Sequence, residues 1–256
     1  MSSVPRILIV DDEADTCANL ADILTDLGFD VEVAGDGWSA LKLVEQRHFD
    51  LALLDLRMPG MDGLELYRRI KEISAGTVAI VVTAYASSDT AKSVLSAGAW
   101  KILSKPVNAA HLINMVNEAL DSPLVLVVDD DFDLCENLWE IFHERGFRVH
   151  LAHNINEAGR ALSQQEFQVV LLDMKLPGGS GEDVLRIVRE TNRQARTVLI
   201  TGFPSEMESR LQKALQEGAS AAAYKPFDVG KLLETVEQLA KAAGKDHATN
   251  KASSTP

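Results

Sequence analysis

Leu51-Ala52-Leu53-Leu54-Asp55-Leu56-Arg57-Met58-Pro59-Gly60 is the stretch whose reading decides the fold. An apolar run ends on a single carboxylate, and a Pro-Gly turn follows at once. Such a run predicts a strand buried on both faces, with its Asp placed where the sheet meets solvent. The construction returns 118 residues later as Val169-Val170-Leu171-Leu172-Asp173-Met174-Lys175-Leu176-Pro177-Gly178.

Working outward, the repeat widens. Ile7-Leu8-Ile9-Val10-Asp11-Asp12 matches Val125-Leu126-Val127-Val128-Asp129-Asp130, and Thr83 matches Thr201, at the same spacing. Lys105-Pro106 recurs as Lys225-Pro226 at a spacing of 120, so two residues are inserted between Thr201 and Gly218. Repetition on this scale means two copies of one domain. Their expected bounds are 4–121 and 122–242, joined through Asp121-Ser122-Pro123. The polar tail 243–256 lacks the apolar residues of a core and is expected to be disordered.

In each copy short apolar runs alternate with amphipathic stretches. Strands are expected near 6–10, 30–34, 50–54, 78–83 and 100–104, then near 124–128, 147–152, 168–172, 197–201 and 220–224. Helices are expected near 13–27, 37–47, 62–73, 88–97 and 107–120, with a last one over 227–242. Asp36, Asp62, Ser87 and Asn108 are candidate helix caps. Five strands alternating with five helices predict an α/β fold: two tandem flavodoxin-like, doubly wound domains with five-stranded parallel sheets.

Composition narrows the function. The net charge of −13 divides into −8 through residue 121 (10 basic, 18 acidic) and −5 beyond it (15 basic, 20 acidic). Two acidic halves argue against direct nucleic-acid binding and favour protein partners. No apolar run approaches the roughly 18 residues of a membrane span, and the first residues lack a signal-peptide pattern, so a cytoplasmic protein with no membrane partner is expected. Cys17 and Cys135 belong to equivalent first helices and are read as small core residues. Trp38 and Trp139 are read as packing residues, and the six histidines as surface or structural. Ile113, Met115 and Leu120 exceed what one helix face needs, which suggests packing on the other domain or a possible homodimer.

In this fold, ligands bind beyond the carboxyl ends of the strands at the switch point. Asp11, Asp12 and Asp55 should converge there with Thr83 and Lys105. Asp129, Asp130, Asp173, Thr201 and Lys225 repeat the set. Like charges about 4 Å apart repel by roughly 4 kcal/mol per pair at an effective dielectric near 20, so the cluster calls for a cation. Oxygen ligands with room for water suit Mg²⁺ or Mn²⁺ better than zinc. A carboxylate beside a metal, a hydroxyl and an ammonium is suited to phosphoryl transfer through an acyl phosphate.

Together these residues resemble the receiver domain of bacterial two-component response regulators, twice over and across nearly the whole chain. The resemblance implies that Asp55 and Asp173 accept phosphate from a histidine kinase or histidine phosphotransfer protein. It implies metal ligands at Asp12 and Asp130, with Asp11 and Asp129 outside them, and at the backbone carbonyls of Arg57 and Lys175. It also implies cis Lys-Pro bonds. Two departures stand out. The aromatic residue usual three places before the Lys is Ile102 in one copy and Ala222 in the other, which puts aromatic switching in doubt. Arg57 with Tyr85, and Lys175 with Phe203, flank the path of a hydrolytic water, which implies long-lived phosphates.

The expected function is a two-receiver signalling protein acting on a downstream protein target, with no enzymatic activity beyond its own phosphorylation and dephosphorylation. The alternative makes one receiver, the second by preference, a non-switching docking module in a phosphate sink or scaffold. A haloacid-dehalogenase-like phosphatase is excluded because positions 13 and 57 are Glu and Arg, not Asp.

Overall fold

The computed structural model describes residues 4–74, 76–84, 93–95, 97–177, 179–202, 212–216 and 218–252, with 244–252 as backbone only. The chain divides into two compact units, Met1–Ser122 and Pro123–Pro256.

In the first unit the elements run β1 (Arg6–Val10), α1 (Ala14–Asp26), β2 (Asp30–Ala34), α2 (Gly37–Gln46), β3 (Leu51–Asp55), α3 (Gly63–Ile73), β4 (Val78–Thr83), β5 (Lys101–Ser104) and α4 (Ala109–Asp121). The strands form one parallel sheet in the order β2-β1-β3-β4-β5. Successive side chains on a strand point to opposite faces. Leu8, Val10, Ala52 and Leu54 therefore enter one core, while Ile7, Ile9, Leu51 and Leu53 enter the other. With both faces covered, a strand has no use for polar residues until its end, which explains the unbroken run before Asp55.

The second unit repeats the plan with β6 (Leu124–Val128), α5 (Phe132–Glu144), β7 (Arg148–Ala152), α6 (Ile155–Gln164), β8 (Val169–Asp173), β9 (Lys175–Leu176), β10 (Gly179–Ser180), α7 (Gly181–Thr191), β11 (Arg196–Thr201), β12 (Ala221–Tyr224) and α8 (Val229–Ala252). Its parallel sheet has the order β12-β11-β8-β6-β7. The doubly wound α/β architecture expected from the sequence is thus present twice. The added feature is a two-stranded antiparallel hairpin, β9 with β10, between the acceptor strand and α7.

Helix starts follow their side chains. Asp36, Asp62 and Asn108 each accept the backbone N–H three residues on, as do Asp131 and Asn154 in the second unit. Each satisfies a donor the helix leaves open. Ser87 lies outside the described residues, as does most of the helix expected over 88–97, of which Ser93–Leu95 are described as helical.

Three expectations are corrected. The tail is not without structure, because α8 continues to Ala252. Elongating a docked helix needs no new nucleus, and Ala and Lys favour it. The surplus on α4 is smaller than its sequence suggests, since Met115 is buried in its own core and Leu120 packs against it. Trp38 is 57% exposed, with the Arg69 guanidinium 5.0 Å from its ring centroid.

The cysteines are buried and unoxidised. Their Sγ atoms lie 3.3 Å and 3.4 Å from the carbonyls of Asp11 and Asp129. Burial, then the Asp129 charge, pushes the Cys135 thiol up to about 12, and burial raises Cys17 as well. At pH 8 the Cys135 thiolate fraction is therefore on the order of 1 in 10,000. Native protein treated with iodoacetamide at pH 8 is expected to gain no adduct by intact-mass measurement, whereas denatured protein gains two. Rapid labelling of the native chain would contradict the packing described.

Candidate functional site

β1 and β3 lie side by side at the sheet centre, so their carboxyl ends bring Asp11, Asp12 and Asp55 to one edge. Their ligand atoms all lie within 4.8 Å of one another, and Asp129, Asp130 and Asp173 repeat the arrangement. Within each trio the roles differ by burial. Asp11 is 2% exposed and Asp55 8%, while Asp12 faces solvent.

Lys105 neutralises part of this charge. Its Nζ lies 2.7 Å from Asp11 Oδ2 and 3.0 Å from Asp55 Oδ2. Lys225 Nζ lies 2.6 Å from Asp129 Oδ2 and 3.3 Å from Asp173 Oδ2. Both Lys-Pro bonds are cis. Burial alone lowers the pKa of Lys105 and of Lys225, but hydrogen bonds and attraction from the paired carboxylates reverse this and leave both above the ordinary lysine value. Burial, then repulsion from Asp129, holds the Asp173 carboxyl above the ordinary range despite Lys225. One ammonium among three carboxylates leaves each pocket short of positive charge.

The backbone locks the acceptors in place. Gly63, the first residue of α3, donates its N–H to the Leu56 carbonyl at 3.1 Å, and Gly181, the first of α7, donates to Met174 at 3.2 Å. Arg57 and Lys175 turn their N–H groups back to the acceptor carboxylates at 3.2 Å and 3.3 Å. Both side chains remain exposed. Thr83 and Thr201 end β4 and β11, nearly fully buried. In the first unit a groove runs from Asp12 past Arg57 and Met58 to Val94.

The expected site residues therefore sit at the same sheet edge of their own units. Ile102 and Ala222 are aliphatic positions packed against their cores. Tyr85 and Phe203 lie outside the described residues. Glu13, not among the expected site residues, has its Oε2 3.6 Å from Lys105 Nζ. Its signal was the continuation of the acidic pair by a third acid. His153, expected as a surface or structural residue, has its Nδ1 3.1 Å from the Asp129 carbonyl.

Comparison with known proteins identifies the family. Residues 7–117 and 125–237 each match the response regulator receiver domain family. A response regulator receiver protein of Anaeromyxobacter sp. (strain Fw109-5) is 35% identical over 239 residues, covering 93% of this chain and 97% of the relative. The transcriptional regulatory protein ZraR of Klebsiella oxytoca is 40% identical over 114 residues, covering 44% of this chain and 26% of ZraR. This chain thus spans about a quarter of the latter's length. Among solved structures, a CheY-like receiver domain protein from Methanospirillum hungatei JF-1 is 38% identical with a TM-score of 0.45, covering 46% of this chain and 95% of its own. Among the described residues, no helix is long and apolar enough to cross a membrane.

Proposed function

The chain belongs to the response regulator receiver family, in a tandem two-receiver arrangement, and from that premise we propose that Asp55 and Asp173 each accept a phosphoryl group from the phosphohistidine of a histidine kinase or phosphotransfer protein. The observation that carries this reading is the lysine ammonium bonded at once to the acceptor and to its buried partner carboxylate, in both units.

A carboxylate oxygen attacks phosphorus as the P–N bond to the donor imidazole breaks. The electron pair of that bond returns to the imidazole nitrogen, and the acceptor becomes an acyl phosphate. Lys105 or Lys225 holds the acceptor oriented and then pairs with an oxygen of the transferred group. The Thr83 or Thr201 hydroxyl donates to another. Asp12 with Asp55, and Asp130 with Asp173, are the side chains that would hold Mg²⁺, joined by the carbonyls of Arg57 and Lys175. Their all-oxygen, net-negative character fits a hard divalent ion. Bound there, the ion supplies positive charge against the oxygens of the transferring group. The chain acts only on its own acceptors, and its output passes through contacts with a downstream protein. The docking-only alternative gains no support, because the second unit keeps the whole set of side chains.

The test is phosphate incorporation from phosphoramidate with Mg²⁺. Wild type is expected to gain two hydroxylamine-labile phosphates, Asp55→Asn and Asp173→Asn one each, and the double variant none. Label persisting in the double variant would overturn the assignment. Metal binding has its own readout, since a ligand that binds only the native state stabilises it by mass action. Millimolar Mg²⁺ is expected to raise the melting temperature, less so in Asp12→Ala and least in Asp12→Ala/Asp130→Ala. An unchanged wild-type melting temperature would count against both sites.

A further inference from the structure

Phe132, the first residue of α5, is 64% exposed, the most exposed large hydrophobic among the described residues. An aromatic ring left in water buries little apolar surface for the fold, yet this one is paired. It stacks on the His153 imidazole, with ring centroids 3.9 Å apart and planes inclined by 21°. A carbonyl can only accept, so His153 Nδ1 carries a proton and donates it to the Asp129 carbonyl at 3.1 Å. The His153 backbone N–H donates to Glu157 Oε2 at 2.7 Å. Two loops, after β6 and after β7, are thus tied into one aromatic shelf at the rim of the acidic pocket. The first unit has nothing of the kind, for its corresponding residues are Ala14 and Gly35.

We propose that the Phe132–His153 shelf is a donor-selecting surface. It docks a protein phosphodonor whose face presents an apolar side chain among lysines or arginines, and so gives the second receiver a donor preference the first does not share. The inference rests on the reading of Asp173 as a phosphoacceptor. Three features point to this occupant. The shelf flanks the residues that any donor must reach, because His153 bonds the carbonyl of the residue whose carboxylate holds Lys225. Asp130, Asp131, Asp133 and Glu136 surround Phe132, all exposed, and no Lys or Arg lies between 129 and 144, so the complementary face is basic. A stiff aromatic with an apolar face and little rotamer freedom to lose is a favourable docking anchor.

The experiment uses the full chain with Asp55→Asn, so that only Asp173 accepts, and a panel of purified, autophosphorylated histidine kinases and phosphotransfer proteins. With the protein donor most active on the parent, Phe132→Ala is expected to slow transfer about tenfold or more, while Phe132→Tyr keeps the parental rate. Labelling by phosphoramidate, too small to touch the shelf, is expected to stay unchanged in both. The reciprocal graft, Ala14→Phe/Gly35→His with Asp173→Asn, is expected to bring that donor's phosphate to Asp55. The graft is sterically open, since a Cβ at Gly35 meets nothing within 4 Å. Parental transfer by Phe132→Ala, an equal loss with phosphoramidate, or the absence of any protein donor for the parent would overturn the proposal. Failure of phosphoramidate to label the parent strikes instead at Asp173 as acceptor.

Discussion

Gly63→Ala is expected to destabilise the first unit by about 3 kcal/mol or more and to disturb its acceptor. A Cβ on Gly63 would lie 2.2 Å from the Asp55 carbonyl oxygen and 2.9 Å from its carbon. Both are backbone atoms, so no side chain can swing aside. Either α3 slides away from the sheet or β3 gives up its position, and overpacking of this kind typically costs 1–3 kcal/mol where side chains can still adjust. Gly181→Ala meets the Asp173 oxygen at 2.6 Å and should cost somewhat less. Gly35→Ala, with nothing near, serves as the control and should stay within about 0.5 kcal/mol. Because two units in one chain need not unfold together, the measurement is hydrogen exchange read peptide by peptide. Equal protection in Gly63→Ala and Gly35→Ala would show that the helix start is not pressed against the acceptor.

Two substitutions in the second pocket are expected to move stability in opposite directions. Asp173→Asn should stabilise by about 1 kcal/mol while ending phosphorylation there, a trade common at functional sites. Its raised pKa makes the protonated acid the form the fold prefers. The associated stability is fully present below the ordinary value of 3.8 and is lost as pH rises through the higher folded value, so at neutral pH the whole penalty stands. A neutral amide removes it. Lys225→Ala should instead cost about 2 kcal/mol, because Asp129, wholly buried, loses its cation at 2.6 Å. Fully buried pairs lose about 3–5 kcal/mol when one partner is removed, and the partial exposure of Lys225 lowers that figure. Denaturation without Mg²⁺ checks both signs. Destabilisation by Asp173→Asn would mean that its bond to Lys225 outweighs repulsion from Asp129.

Most of the fold was legible because doubly covered strands leave so little choice of residue. β1, β2, β4 and β6 fall where the pattern places them, and the other strands differ by about a residue at the ends. The site was legible for a related reason, since strand ends set the positions of the aspartates, threonines and lysines. Features made by side chains meeting across loops were hidden. Nothing in the spacing of Phe132 and His153 indicates that they stack, and the β9–β10 hairpin is too short to leave a period. Trp38 misled because a large apolar residue at a helix start reads as a packing residue, when it lies exposed with the Arg69 guanidinium over its ring. α8 ran long because polar composition was weighed above the ease of extending a docked helix.

The similarity of β1 and β6, Ile7-Leu8-Ile9-Val10 against Val125-Leu126-Val127-Val128, has a consequence for biosynthesis. Each is the strand between β2 or β7 and the acceptor strand, so either could be captured by the wrong sheet, a hazard of repeated domains. Time separates them. At about 5–20 residues per second the ribosome needs roughly 1–4 s to make the 20 residues from Ser104, which ends β5 and completes the first sheet, to Leu124, which starts β6. Mixed α/β domains of this size fold in roughly milliseconds to a second. The first sheet therefore closes around β1 before its rival has been translated. Refolding from denaturant offers no such head start, and the purified chain should recover less completely from denaturant than it folds during synthesis.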